Sequence, residues 1–198
     1  MRLTRVFVGS PLAPDADVNL PAAAANHVGR VLRLRAGAAI VAFDGSGNDY
    51  RCEILAVEGD AVRVRVGPRS SGLPESPLRI TLVQAVSRGE RMDWTLQKAT
   101  ELGVRTIVPV LSARSVVRLD ERQAERKLRH WQSIVAGACE QSGRSTLPEV
   151  RAPLELGRRD AEGLRHPVQV HHARRLVNAQ LDGVGIVLPQ VDPGGQRL

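Results

Sequence analysis

Residues 89–104, which read GERMDWTLQKATELGV, are the stretch that most restricts how this chain can fold. Gly103 stands where a helix commonly ends in a left-handed residue. Near-continuous apolar runs at 79–86 and 104–111 flank the helix and are typical of buried strands. This order predicts a βαβ unit with a parallel sheet. The predicted helix would bury one stripe of apolar side chains: Met92, Leu96, Ala99 and Leu102.

The same predicted helix carries a polar stripe. Asp93, Gln97 and Glu101 follow one another at intervals of four residues, so their side chains would stack along one side. Such a stripe is typical of a solvated helix face, and a functional role is the alternative.

Composition favours a polyanionic partner for this chain. The net charge is +7 and the pI is near 10.8. Of the 28 basic residues 26 are arginine, a bias that mutational pressure toward arginine codons would also produce. Cys52 and Cys139 lack metal-type spacing, so we expect no metal site and a reduced compartment. No apolar run is long enough to span a bilayer and no signal peptide is recognisable, so we expect a cytoplasmic protein.

The first 70 residues contain short strand-like runs that are separated by tight turns. Residues 39–43 and 50–54 are joined by an Asp-Gly turn, which indicates a hairpin. Residues 61–66 alternate, with valines expected inside and Arg63 and Arg65 expected in water. Several short strands in about 70 residues predict a small β-barrel.

A segment rich in proline and glycine separates this region from the βαβ unit and indicates a linker. Downstream, Asp120 and Gln123 predict a helix cap, and Trp131 lies on the apolar stripe of the helix that follows. Gly143 is the expected stop of that helix. The expected domains are a barrel at 1–70, a linker at 71–77, an α/β domain at 78–156 and a tail at 157–198.

Three motifs carry a family resemblance. RMDWTLQKATELGV at 91–104, SARSV at 112–116 and EQSGR at 140–144 occur in the order found in the RsmE family. The resemblance implies a methyltransferase that depends on S-adenosyl-L-methionine (SAM) and modifies N3 of a uridine in small-subunit (16S) ribosomal RNA. It further implies a PUA-like RNA-binding β-barrel, a trefoil-knotted α/β domain of the SPOUT type and a homodimer.

Candidate site residues follow from position and chemistry. Arg114 leaves the carboxyl end of the second predicted strand, where ligands of α/β sheets bind, and Arg144 is the next candidate. Glu101, Glu140 and Gln141 would orient these arginines or transfer a proton, and a purely structural ion-pair network is the alternative. The arginines available for RNA phosphates are Arg5, Arg30, Arg33, Arg35, Arg63 and Arg65.

The tail at 157–198 departs from the family. The family binds SAM through a Gly-Pro-Glu-Gly-Gly loop and a Leu-Gly-x-Arg-Ile-Leu-Arg segment, and this chain has neither motif. We therefore expect a divergent or frameshifted tail, an incomplete α/β domain and no assignable SAM contacts. The leading hypothesis is a family methyltransferase that acts on ribosomal RNA or the small ribosomal subunit. The alternative is a catalytically inactive RNA-binding remnant.

Overall fold

The computed structural model describes residues 3–112, 118–156 and 186–190. These residues form two compact units. The first contains the described residues up to Glu75 together with Ala136–Leu147, and the second contains Ser76–Val135 and the described residues from Pro148 onward. The first break in the chain falls inside the predicted linker. The return of Ala136–Leu147 to the first unit was not anticipated from the sequence.

The first unit is built on a six-stranded mixed sheet. Its strands run in the order β1-β3-β4-β5-β2, and β6 pairs with β4. β1 and β3 are parallel, whereas the other pairs are antiparallel. The strands are β1 (Arg5–Phe7), β2 (Asp17–Asn19), β3 (Ala39–Phe43), β4 (Asn48–Glu58), β5 (Ala61–Arg65) and β6 (Arg69–Ser71).

The expectation of a barrel was wrong for the described strands. β1 and β2 end the strand order and do not pair with each other, so the sheet stays open. The predicted hairpin is confirmed, since β3 and β4 pair from Ala39↔Glu53 to Phe43↔Asp49. The alternation of β5 is also confirmed, because Val62 and Val64 are buried while the arginines between them are exposed.

One hydrophobic core lies against this sheet. It combines valine and isoleucine side chains of β1, β3, β4 and β5 with the short helix α1 (Ala22–Asn26) and the π-helical turn His27–Val31. Fully buried members include Val28, Ile40, Ile54 and Val64. Burying each such side chain contributes about 1.5–3 kcal/mol, so these strands supply much of the stability of the unit.

The second unit contains the predicted βαβ arrangement. Its sheet has the order β10-β8-β7-β11, with β9 also paired to β8. β7 and β8 are parallel, as predicted, and β11 is antiparallel to β7. The elements are β7 (Arg79–Ala85), α2 (Glu90–Glu101), β8 (Thr106–Ser112), α3 (Glu121–Ser142), β9 (Glu149–Val150), β10 (Leu154–Leu156) and β11 (Ile186–Gln190).

Helix α2 follows the predicted stripe except at its end. Met92, Leu96 and Ala99 are buried, but Leu102 is 81% exposed. Leu102 is the C-cap, with φ −83° and ψ 0°, so it leaves the helical spacing that would have buried it. Gly103 has φ +94° and ends the helix as predicted.

Helix α3 has the predicted cap. Gln123 N donates to Asp120 Oδ1 over 2.7 Å, and Asp120 N donates to Gln123 Oε1 over 3.1 Å. Trp131 is 1% exposed, which confirms it as a core residue. Gly143, with φ +89°, follows the last helical residue. No helix among the described residues is long and apolar enough to cross a membrane.

Candidate functional site

A polar network lies inside the first unit and is centred on Arg5 and Asp49. Arg5 Nη1 donates to Asp49 Oδ2 over 2.7 Å, and Arg5 Nη2 donates to Asp49 Oδ1 over 2.9 Å. Ser145 Oγ donates to Asp49 Oδ1 over 2.5 Å. The Arg5 and Asp49 side chains are only 9% and 18% exposed. The guanidinium also lies 5.0 Å from the centre of the Phe43 ring.

A second ion pair joins this network. The Arg144 guanidinium binds Glu75 through Nε and Nη2, at 3.1 and 2.7 Å. The two side chains are 9% and 14% exposed. Arg5 Nη2 also donates to the Arg144 carbonyl oxygen over 3.3 Å. Two-point pairing of this kind fixes the orientation of a guanidinium.

The segment that follows α3 is fastened to the turn between β3 and β4. Gly47 N donates to Ser145 O over 3.0 Å, and Ser46 pairs with Thr146 in a β-bridge. On the last turn of α3, Glu140 Oε1 accepts from Phe7 N over 2.9 Å. The EQSGR motif of the sequence therefore holds the end of α3 against the first sheet.

Burial and pairing shift several protonation equilibria in this unit. Burial alone would raise the pKa of Asp49, but hydrogen bonds from Arg5 and Ser145 and the Arg5 charge hold it below its usual value. The pKa of Asp44 is lowered by its hydrogen bonds with Ser46 and Leu12, again against burial. Burial raises the pKa of the Cys139 thiol to about 11 and also raises that of Cys52.

The predicted catalytic residues fall in different places. Arg114 lies outside the described residues. Glu101 belongs to the second unit, where it accepts a 2.8 Å hydrogen bond from Lys98. Glu140 and Arg144 both belong to the first unit, where Glu140 accepts from Phe7 N and Arg144 pairs with Glu75, and Gln141 is exposed. Their catalytic roles stay predictions, and the pairing of Arg144 with Glu75 gives that arginine a structural role.

The predicted RNA-contacting arginines divide by their partners. Arg5 is buried in the network. Arg30 pairs with Asp60, and Arg65 donates to Asp17 over 3.0 Å, with all four side chains well exposed. Arg33, Arg35 and Arg63 are exposed and have no acidic partner among the described residues. Among the predicted RNA-contacting arginines, these last three are therefore the best placed to meet a phosphate.

The second unit carries a basic groove that sequence reasoning missed. It is open, has a volume of about 510 Å³ and lies along the first turns of α3. The residues that line it, called the α3 groove below, are Arg118, Leu119, Gln123, Arg126, Lys127 and His130. Their spacing in α3 places 123, 126, 127 and 130 on one face, which was the available signal. No group of metal-binding side chains occurs among the described residues.

Comparison with known proteins identifies both units. A PUA domain model of RNA methyltransferases matches residues 20–67, and an RNA methyltransferase domain model matches residues 74–171. The fold is therefore that of an RNA methyltransferase, with a PUA domain followed by a SPOUT-like α/β unit.

Individual relatives narrow this class. The chain is 38% identical to ribosomal RNA small subunit methyltransferase E from Neisseria gonorrhoeae, whose structure contains S-adenosyl methionine. The two structures match with a TM-score of 0.77, and the match covers 85% of this chain and 68% of that one. A Legionella pneumophila structure that contains SAM is 37% identical, with a TM-score of 0.76 over 79% of this chain and 64% of that chain. The chain belongs to the ribosomal RNA small subunit methyltransferase E family.

The match to curated relatives covers part of their length. Ribosomal RNA small subunit methyltransferase E from Bacillus subtilis is 33% identical over 125 residues, which are 63% of this chain and 49% of the relative. The chain thus spans about half the length of that relative.

Proposed function

We propose that this protein uses SAM to methylate N3 of a uridine in small-subunit ribosomal RNA. The observation that carries the proposal is the order of its two units. A PUA domain and an RNA methyltransferase domain follow each other along the chain, as their matches at 20–67 and 74–171 indicate. The N. gonorrhoeae relative, which supports the same assignment, has bound S-adenosyl methionine.

Arginines of the first unit would attract the RNA. Arg33 and Arg35 follow the π-helical turn, and Arg63 lies on the exposed side of β5. Because these side chains are solvated, their contribution would be a salt-sensitive attraction to phosphates and not recognition of a base sequence. Arg5 is left out of this surface, since its guanidinium is held by Asp49.

The α3 groove is not suited to SAM. SAM carries a sulfonium cation, an ammonium group and one carboxylate, so its net charge is positive, whereas the α3 groove presents Arg118, Arg126 and Lys127 without a carboxylate in its lining. Net positive charge on both the cofactor and the groove opposes binding, so this groove does not fit SAM. When bound, SAM would supply the methyl group. We propose that the contacts with SAM are made by residues other than those described.

The remaining chemistry concerns the uracil. Its Watson–Crick edge must be unpaired to expose N3, and N3 must lose its proton. Arg114 is the first candidate for stabilising the resulting negative charge, with Arg144 second. Glu101, Glu140 and Gln141 are the candidates for orienting these groups or moving the proton. Glu140 and Arg144 already have partners in the first unit, which favours a positioning role for both.

Further features of the family are proposed for this protein. The homodimer is proposed from the family resemblance, and Trp94 on α2, which is 64% exposed, is an apolar side chain available to such an interface. The trefoil knot and the incomplete state of the α/β unit stay predictions. A ribosomal RNA substrate would place the protein in the cytoplasm.

The experiment that tests the proposal measures methyl transfer. Residues 1–156 are joined to the C-terminal region of the B. subtilis relative, and radiolabelled SAM is incubated with unmodified small-subunit RNA. We expect label in the RNA. A chimera that binds both SAM and RNA but transfers no label would refute the proposal.

The alternative, an RNA-binding remnant, is separated by a calorimetric titration of the 198-residue chain with SAM. The proposal predicts micromolar affinity from this chain as well as from the chimera, whereas no measurable heat of binding from this chain alone would favour the remnant. Micromolar binding by the 198-residue chain would mean that residues after 156 form a cofactor site of their own.

A further inference from the structure

We propose that the α3 groove is a second RNA-binding surface, which holds the phosphate backbone of the substrate against the α/β unit. This inference rests on the proposed function, since it assigns a place to the same RNA. It differs from the arginines of the PUA domain because it belongs to the other unit and to other residues.

The charge of the groove carries the first step. Arg118, Arg126 and Lys127 all line it, and none of them has an acidic partner in the described part of the chain. The opposite holds for Arg129, which is on the same helix but outside the lining and pairs with Glu125 at 3.9 Å. Three of the cations of this stretch that have no acidic partner among the described residues therefore line the groove, and Arg122 is a further one outside it.

Two acidic side chains that contact residues of the groove are engaged. Asp93 Oδ2 lies 2.8 Å from His130 Nε2, which joins α2 to α3 at one end of the groove. Asp120 caps the first turn of α3 through its hydrogen bond with Gln123 N. Three cations that lack an acidic partner within the described ranges thus face solvent next to two carboxylates that already have donors. Such an arrangement attracts anions.

The shape of the groove selects among anions. From Gln123 to His130 the lining covers two helical turns, or about 10 Å along the axis. A stacked nucleic-acid strand places one phosphate every ~3.4 Å, so about three phosphates match this length. A single phosphate ion would use only part of it. Arginine is also suited to two-point contacts with phosphate oxygens.

A nucleic acid is favoured over an acidic protein. Protein interfaces are centred on buried aromatic or large apolar anchors. The α3 groove offers only Leu119 of that kind, and Leu119 is half-buried. Charged and polar side chains make up the rest of the lining, which is the composition of a surface that follows a sugar-phosphate backbone.

The test compares two double variants of the 198-residue chain that carry the same charge change. Arg126→Ala with Lys127→Ala removes two groove cations, and Arg122→Ala with Arg129→Ala removes two exposed cations of the same helix that lie outside the lining. Binding of a fluorescent single-stranded RNA that contains uridine is followed by anisotropy at several salt concentrations. Circular dichroism checks that both variants fold.

The groove variant should lower the slope of log affinity against log salt by about 1.4, since each lost contact to a single strand removes ~0.7. The control variant should change the slope much less. Equal slopes in the two variants would refute RNA binding by the α3 groove and would favour an acidic protein partner. No RNA binding by the unaltered chain would refute the inference as well. Methyl transfer by the chimera is scored separately, so transfer with an unchanged groove slope refutes only this inference. A lowered slope without transfer refutes only the proposed methylation.

Discussion

Replacing Asp49 by asparagine tests whether the buried network holds the first unit together. The substitution keeps the shape of the side chain but removes the charge that faces Arg5. Because Arg5 is only 9% exposed, its guanidinium would stay buried without a counter-charge. Breaking a buried pair on one side typically costs about 3–5 kcal/mol, and asparagine still offers one acceptor oxygen. We therefore expect a loss of about 3 kcal/mol in the free energy of unfolding.

The same sheet supplies a matched control. Asp17 pairs with Arg65 across β2 and β5, but there the side chains are 42% and 57% exposed. Water and salt replace that interaction easily, so Asp17→Asn should leave stability nearly unchanged.

Urea unfolding followed by far-ultraviolet circular dichroism measures both variants. With a slope of about 2 kcal/mol per molar urea, Asp49→Asn should lower the midpoint by roughly 1.5 M. If Asp49→Asn and Asp17→Asn shift the midpoint equally, burial of the Arg5 pair does not have the effect argued here.

Three further predictions follow from the same unit. The pKa values of Asp49 and Asp44 lie below the usual 3.8. The stability that these carboxylates confer is therefore present above about pH 4 and is lost as the pH falls through the lowered pKa values. Unfolding midpoints that stay constant from pH 5 to pH 2 would contradict this. With its pKa raised to about 11, Cys139 is about 0.1% thiolate at pH 8, and Ellman's reagent should label it slowly until urea is added. Gly72→Ala should lower the free energy of unfolding, measured by urea titration, by about 2 kcal/mol or more, because the new Cβ would lie 2.5 Å from Ser145 Cβ. A variant as stable as the unaltered protein would show that the Ser145 segment can move aside.

The predictions that held depend on local patterns. The βαβ unit could be read from three successive segments, since helical spacing and two apolar runs are properties of neighbouring residues. Gly103 and the Asp120 cap are likewise set by backbone chemistry within a few residues. The prediction that Leu102 is buried was wrong because the helix ends one residue before Leu102, and residue spacing alone does not give the end of a helix.

The features that sequence reasoning missed depend on distant partners. Closure of a barrel would require β1 to pair with β2, and no local pattern reports on that pairing. Arg5 was expected to contact a phosphate. Its pairing with Asp49 could not be read from the sequence, because Asp49 lies 44 residues away along the chain. The α3 groove was overlooked for a related reason, since each cation resembles an ordinary solvated charge until its neighbours are known.

The identity of the modified atom tests the central claim most directly. RNA from the methyl-transfer reaction of the chimera is digested to nucleosides and analysed by mass spectrometry against synthetic standards. We predict 3-methyluridine as the product, at one uridine of the small-subunit RNA. A methyl group on another atom or another base, or RNA without added methyl groups, would contradict the assignment.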